Sequence, residues 1–191
     1  STPLYSSAAS DVYKRQVDYD WTDAELALLS AHDSNPFARW EAGQELATRQ
    51  ILSLADARQA GRTLHADAAF IDAWRALLTD PSLDAAYRAR ALALPSEKTL
   101  AERMQAVDPP ALAVARDFLR AELGRQLTAE FRQAFDDNQT PSEYSPAPVP
   151  AGKRALKNLA LSHLMAAGEH EAQRLACLLY TSPSPRDVEE S

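Results

Sequence analysis

Cysteine is all but missing: Cys177 is the single one in 191 residues. One cysteine makes no intrachain disulfide and no multi-cysteine zinc cage. Glycine is scarce as well, at 5 residues, and runs of β-branched residues do not occur. Sheet-rich architectures, with their glycine turns and Val/Ile/Thr strands, are disfavoured on that ground. No apolar run approaches the roughly 20 residues of a membrane-spanning helix. Positive charge is also short, with 20 Lys and Arg against 27 Asp and Glu and a net charge of −7. A phosphate-backbone binder would show a basic patch instead. A Gly-rich phosphate loop and a Gly-x-Ser-x-Gly elbow are both absent from the sequence.

The two ends mirror each other at the level of DNA. Asp11-Val12-Tyr13-Lys14-Arg15-Gln16 back-translates as GAT GTG TAT AAG AGA CAG. The reverse complement, taken one base in, encodes Cys177-Leu178-Leu179-Tyr180-Thr181-Ser182. Residues 1–16 and 177–191 therefore look like translated adapters of a transposase-based sequencing library, with 1–5 and 188–191 as index and primer sequence. They are expected to form no domain. The informative stretch is 17–176, with a cut expected at both edges, so a motif missing from it says little about a parent protein. It holds 17 basic and 23 acidic residues and no cysteine, which removes a thiol nucleophile too. About 160 residues suffice for one domain with a real core.

What fills the stretch is Ala, Leu, Arg, Glu and Gln, all good helix formers. Val17–Asp20 alone alternates like a strand. Thr22-Asp23-Ala24-Glu25 forms a capping box, opening a helix with Leu26, Leu28 and Leu29 inward that ends near His32. Asn35-Pro36 starts a long helix to Ala60, stopped by Gly61, with Phe37, Trp40, Leu46, Ala47, Ile51 and Leu54 inward. Arg39, Glu41, Glu45 and Arg49 fall largely on its other face. Asp67 caps a helix striped by Phe70, Ile71, Trp74, Leu77 and Leu78, closed by Asp80-Pro81. Asp84 to Ala93 is shorter, with Tyr87 and Leu92 inward. Ser96 caps about two turns carrying Leu100 and Met104. Asp108-Pro109-Pro110 opens a stretch patterned from Leu112 to Phe135, with Gly124 as the site of a bend or a break. Asn138 to Pro150 reads as a proline-rich surface loop. Ala151–Ala167 is the last helix, with Leu156, Leu159, Leu164 and Met165 inward and Gly168 as its stop, and a further helix begins after it.

Helices joined by short Pro/Asp turns, without a heptad or a fixed repeat, predict an all-α fold. The expected form is an irregular superhelix of antiparallel helix pairs, armadillo- or HEAT-like and truncated.

Candidate chemistry is thin. His170-Glu171 invites comparison with the zinc-binding His-Glu-x-x-His helix, but the partner position is Arg174. His32, His65 and His163 are scattered and suit helix ends or the surface. Trp40 and Trp74 lie in apolar stripes, and Trp21 suits a staple before the capping box. Glu41 with Glu45, and Asp117, Glu122 and Glu130, suit solvated faces with partners such as Glu45–Arg49. Lys153, Arg154 and Lys157 crowd a helix start, where like charge opposes the dipole and an anion or substrate contact is conceivable. The residues by themselves describe a non-catalytic helical domain.

Three segments add to that reading. Asp18-Tyr19-Asp20-Trp21-Thr22-Asp23-Ala24-Glu25-Leu26, followed by His32-Asp33-Ser34-Asn35-Pro36-Phe37-Ala38-Arg39-Trp40-Glu41-Ala42-Gly43-Gln44, is similar to the start of the C-terminal helical domain of the aminopeptidase N family, the bacterial-type zinc alanyl aminopeptidases. Leu94-Pro95-Ser96-Glu97 and Val107-Asp108-Pro109 resemble the family's middle segment. Ser142-Glu143-Tyr144-Ser145, through Gly152-Lys153-Arg154-Ala155-Leu156-Lys157-Asn158-Leu159, resembles its loop and following helix. The likeness is collinear over 17–176.

The resemblance implies an N-terminal β domain, a thermolysin-like catalytic domain, a small β-sandwich and a helical cap over the active site. Residues 17–20 would end the sandwich and 21–176 would form the first half of the cap. The family's His-Glu-x-x-His helix and its Gly-x-Met-Glu-Asn loop match no position here, so catalytic, cofactor-binding and metal residues are none in this chain. Zinc would belong to the parent, polarising the scissile carbonyl and activating water beside a glutamate base. The implied partners are the catalytic and β-sandwich domains of the parent and its peptide substrates, with no nucleic acid and no membrane. The implied location is cytoplasmic. Half a superhelix leaves an apolar face uncovered, so 17–176 alone is expected to be poorly soluble or molten. The competing reading is an armadillo-like scaffold binding other proteins along a concave face.

Overall fold

The computed structural model describes residues 20–141 and 143–168. Eight helices and no strand occur among them. They are α1 (Asp23–His32), α2 (Pro36–Gln59), α3 (Ala68–Thr79), α4 (Ala85–Ala91), α5 (Glu97–Ala101), α6 (Pro109–Gln126), α7 (Thr128–Asp137) and α8 (Pro148–Ala166). Of the strand-like segment only Asp20 is described, and it has no regular structure. The expected further helix and His170-Glu171 lie outside the described residues.

Six helix starts form because the chain supplies a cap at each. In α1 the Glu25 amide donates to Thr22 Oγ1 at 3.2 Å, and the Thr22 amide donates to Glu25 Oε2 at 2.8 Å. Asn35 Oδ1 accepts the Phe37 and Ala38 amides at 3.0 and 3.4 Å. Asp67, Asp84, Ser96 and Asp108 accept amides of their own first turns. Removing one such cap costs about 1 kcal/mol. Gly61 and Gly168, at φ +68° and +79°, end α2 and α8 in the left-handed region that side chains disfavour.

One continuous core joins the helices. Leu26, Leu46, Ile51, Leu54, Phe70, Ile71, Trp74, Leu77 and Leu78 fill its N-terminal part. Leu112, Leu119, Leu123, Leu127, Phe131, Leu156 and Leu164 fill the rest. Helix α1 packs on α2 and α3, α2 packs on α6, and α8 lies against α4, α6 and α7.

The structure departs from the sequence expectations at identifiable places. The break in the long C-terminal pattern falls at Leu127, not Gly124. There Thr128 Oγ1 takes the Gly124 and Arg125 carbonyls, both at 2.8 Å, and the backbone turns into α7. Gly124 itself is a contact point: a Cβ built on it would lie 2.0 Å from the His163 carbonyl oxygen. Helix α8 starts at Pro148, inside the expected loop. Prolines 148 and 150 sit in its first turn, where amides have no intrahelical partner and the missing N–H costs nothing. Helix α5 has 5 residues, with Leu100 buried and Met104 beyond its end. Leu28, Phe37 and Met165 are exposed rather than inward. Leu28 lies opposite the buried Leu26–Ser30 stripe, and Phe37 and Met165 lie at the edges of theirs, positions that apolar character alone does not reveal. Arg39 goes the other way: it is buried.

Candidate functional site

Two adjoining cavities form a cleft along α2. The larger, about 500 Å³, lies between α1, α2 and the α5 region. The smaller, about 430 Å³, continues towards α4 and shares Trp40, Gln44, Thr48 and Thr99 with it. Trp40, Gln44 and Thr48 share a helix face because they recur at i, i+4 and i+8. Trp40 is half-buried, and the Arg90 guanidinium sits 5.4 Å from its ring centroid. Gln44 Nε2 donates to the Ala93 carbonyl at 2.9 Å and so ties the chain after α4 to α2.

One wall of the larger cavity is an ion-pair network. Glu45 accepts from Arg49 Nε at 2.9 Å, the i, i+4 pair expected from the sequence. It also receives both guanidinium nitrogens of Arg103, at 2.8 and 3.0 Å. These two arginines, Arg103 first, hold the Glu45 carboxyl below the usual carboxylate range. Arg49 reaches on to Asp23 at 3.2 Å and to the Trp21 carbonyl at 2.5 Å. Trp21 packs against the core beside Leu26, in keeping with a staple.

Arg39 is a strut that the sequence reading placed on the solvent side. Its Nε donates to the Ser30 carbonyl at 3.0 Å, Nη2 to Ala31 at 2.9 Å and Nη1 to Asp80 at 3.1 Å. It thereby satisfies carbonyls of the last turn of α1 and ties α1, α2 and the end of α3 together. The missed signal was positional: 39, 42, 43 and 46 form one helical stripe with the buried Ala42, Gly43 and Leu46.

His163, expected at a helix end or on the surface, is also buried. Its ring stacks on Phe131 with centroids 4.6 Å apart, and Nδ1 lies 2.8 Å from the Leu159 carbonyl. Nε2 is buried with no hydrogen-bond partner among the described residues. Burial, with smaller contributions from Arg120 and Arg116, pushes its pKa down to about 4. His163 is therefore neutral at pH 7. His32 and His65 are exposed.

The other candidates sit in structural contacts. Trp74 is fully buried, with its ring 4.4 Å from that of Phe70. Glu122 is buried and bonded to Arg125 and Gln126. Glu130 pairs with Arg75 at 3.1 Å, and Asp117 lies 4.0 Å from Arg120. Arg154 donates to the Ser145 carbonyl at 2.7 Å and lies over the Tyr144 ring, so it fastens the loop before α8. Lys157 is buried. Among the described residues no group of three or more His, Cys, Asp or Glu side chains is placed to hold a metal. None of the described helices is long and apolar enough to cross a membrane.

Comparison with known proteins agrees with this architecture. Aminopeptidase N of Escherichia coli (strain K12) is 34% identical over 160 residues, covering 84% of this chain and 18% of that protein. Aminopeptidase N of Caulobacter vibrioides is 40% identical over 161 residues, again 84% of this chain and 18% of the relative. The chain thus spans under a fifth of the length of these relatives. The crystal structure of Legionella pneumophila aminopeptidase A in complex with aspartic acid superposes with a TM-score of 0.69 at 24% identity, over 84% of this chain and 19% of that one, and shows the shared fold. A family profile matches residues 23–184, running on into the segment that mirrors the N-terminus. By that match the chain belongs to the family described as a domain of unknown function (DUF3458_C) with ARM repeats.

Proposed function

We propose that this chain is a non-catalytic helical module of a zinc metallo-aminopeptidase, an enzyme that removes N-terminal amino acids from peptides. The likeness to two aminopeptidases N over 84% of the chain, at 34% and 40% identity, carries the reading. Residues 21–176 would supply the first half of a helical cap over the parent's active site, and 17–20 the exit from the preceding β-sandwich. The cap acts sterically: it encloses the site, so short peptides enter and folded chains do not. The residues described here do not fit the implied zinc, since no ligand group is assembled among them. On this reading the metal belongs to another part of such a parent, and the described side chains carry none of the catalytic steps.

Three measurements test the proposal. Extending the gene upstream should reveal a His-Glu-x-x-His a few hundred residues before Val17, and an unrelated neighbour there would sink it. In the intact parent, deleting the counterpart of 21–176 should relax the size limit on substrates. An unchanged limit in a folded deletion variant would remove the cap role. The 191-residue chain itself should leave amino-acid anilides uncleaved with or without zinc, and zinc-dependent turnover would overturn the non-catalytic assignment.

A further inference from the structure

The larger cavity has a charge imbalance that its own side chains leave uncorrected. Its two cations, Arg49 and Arg103, are both committed to Glu45, and Arg49 also to Asp23. Two further carboxylates line the same space. Glu41, half-buried, makes no hydrogen bond or ion pair among the described residues, and Asp33 accepts only the Asn35 amide. The indole of Trp40, over which the Arg90 guanidinium lies at 5.4 Å from the centroid, lines the same space with Leu26 and Leu29. Arg90 lines the neighbouring cavity and makes no ion pair with either acid among the described residues.

An aromatic wall, an apolar surface and two unpaired carboxylates complement a cation on an apolar stem. The indole quadrupole attracts the cation, the carboxylates pair with it, and the leucines cover the methylenes. We propose that this cavity binds the side chain of an arginine or lysine presented by a peptide segment. Arginine fits best, because its planar guanidinium stacks on an indole while donating to a carboxylate. About 500 Å³ lies within the range of small-ligand sites and holds such a side chain with adjoining backbone. The proposal stands apart from the cap reading, since it concerns recognition by this chain alone.

The test is calorimetric titration of the 191-residue chain with a capped peptide, acetyl-Ala-Arg-Ala-amide, beside its Gln and Glu counterparts. The caps remove terminal charges, so the central side chain alone differs. The arginine peptide should bind saturably, about tenfold or more tighter than the glutamine peptide, with no heat from the glutamate peptide and weakening as salt is raised. Glu41→Gln should lower the arginine affinity about fivefold. Glu143→Gln, on the exposed loop before α8, should change nothing. Equal binding of the Arg and Gln peptides, or no saturable binding at millimolar peptide, would overturn the proposal. So would an unchanged affinity in a folded Glu41→Gln variant. Concentration-dependent dimerisation abolished by Glu41→Gln would assign the cavity to a second copy instead. If Glu41→Gln does not fold, the peptide ranking and its salt dependence still decide.

Discussion

Helices α3 and α8 are both buried along one face, yet they are held by different means. Helix α3 brings bulk: Phe70, Ile71, Trp74, Leu77 and Leu78 are all buried, and neighbouring α2 keeps ordinary van der Waals spacing around them. A Cβ on Gly43 would lie 3.6 Å from Ser30 Cβ and 3.8 Å from the Trp74 ring. Helix α8 brings closeness. The Gly124 Cα faces the His163 carbonyl with no room for a methyl. At its other end Gly152 sits on Ala86, where a Cβ would lie 2.8 Å from the Ala86 Cβ. The first seam is stabilised by transferred apolar volume, the second by backbone approach and dispersion between small residues. Glycine therefore has opposite meanings in the two places.

Four substitutions or conditions would break or sharpen that contrast, each read by denaturant unfolding of the 191-residue chain. Trp74→Ala should have the largest effect, a loss of about 4 kcal/mol from transfer and cavity terms. Gly124→Ala should cost about 3 kcal/mol, since a helix must shift to admit the methyl. A cost under about 1 kcal/mol would mean that the α6–α8 contact is soft. Acid should probe the same seam through His163. Its folded pKa, near 4, lies below the ordinary 6.5, so the unfolded chain binds the proton more readily. The stability tied to neutral His163 is full above pH 6.5 and is lost as pH falls towards 4, amounting to about 2 kcal/mol between pH 7 and pH 5. His163→Leu should flatten that part of the pH profile, and an unaltered slope would contradict the burial argument. Gly43→Ala should have the smallest effect and the opposite sign, a gain of up to about 1 kcal/mol from helix propensity. A loss there would show the α2 surface to be as tightly packed as α8.

The parts of the fold legible in the sequence are those governed by neighbours in the chain. Thr22, Asn35, Asp67 and Ser96 cap where expected, and Asp84 and Asp108, read only as helix starts, cap there too, because a cap bonds within its own first turn. The α3 stripe was equally plain, since five large apolar residues at helical spacing leave one face to bury. The failures share a cause. Gly124 looked like a bend because its partner, the His163 carbonyl, belongs to another helix. Arg39 looked solvated because its charge masked its position on the buried stripe, and its partners Ser30, Ala31 and Asp80 come from flanking elements. The cavity was half legible. Trp40 and the Glu45–Arg49 pair were readable within α2, but Arg103 joins Glu45 across 58 residues of sequence. Nothing local marks that meeting.

The seat of Gly152 on Ala86 also bears on the order in which the chain becomes structured. Helices α1, α2 and α3 find partners among themselves soon after synthesis. Helix α4 packs chiefly on α8, the last helix described here. A polypeptide emerging N-terminus first must hold the Ala86 surface open while α5, α6 and α7 are made. Contacts of such sequence separation form late and slow folding. Among the described residues, the Ala86 surface is then the one that waits longest for its partner during translation.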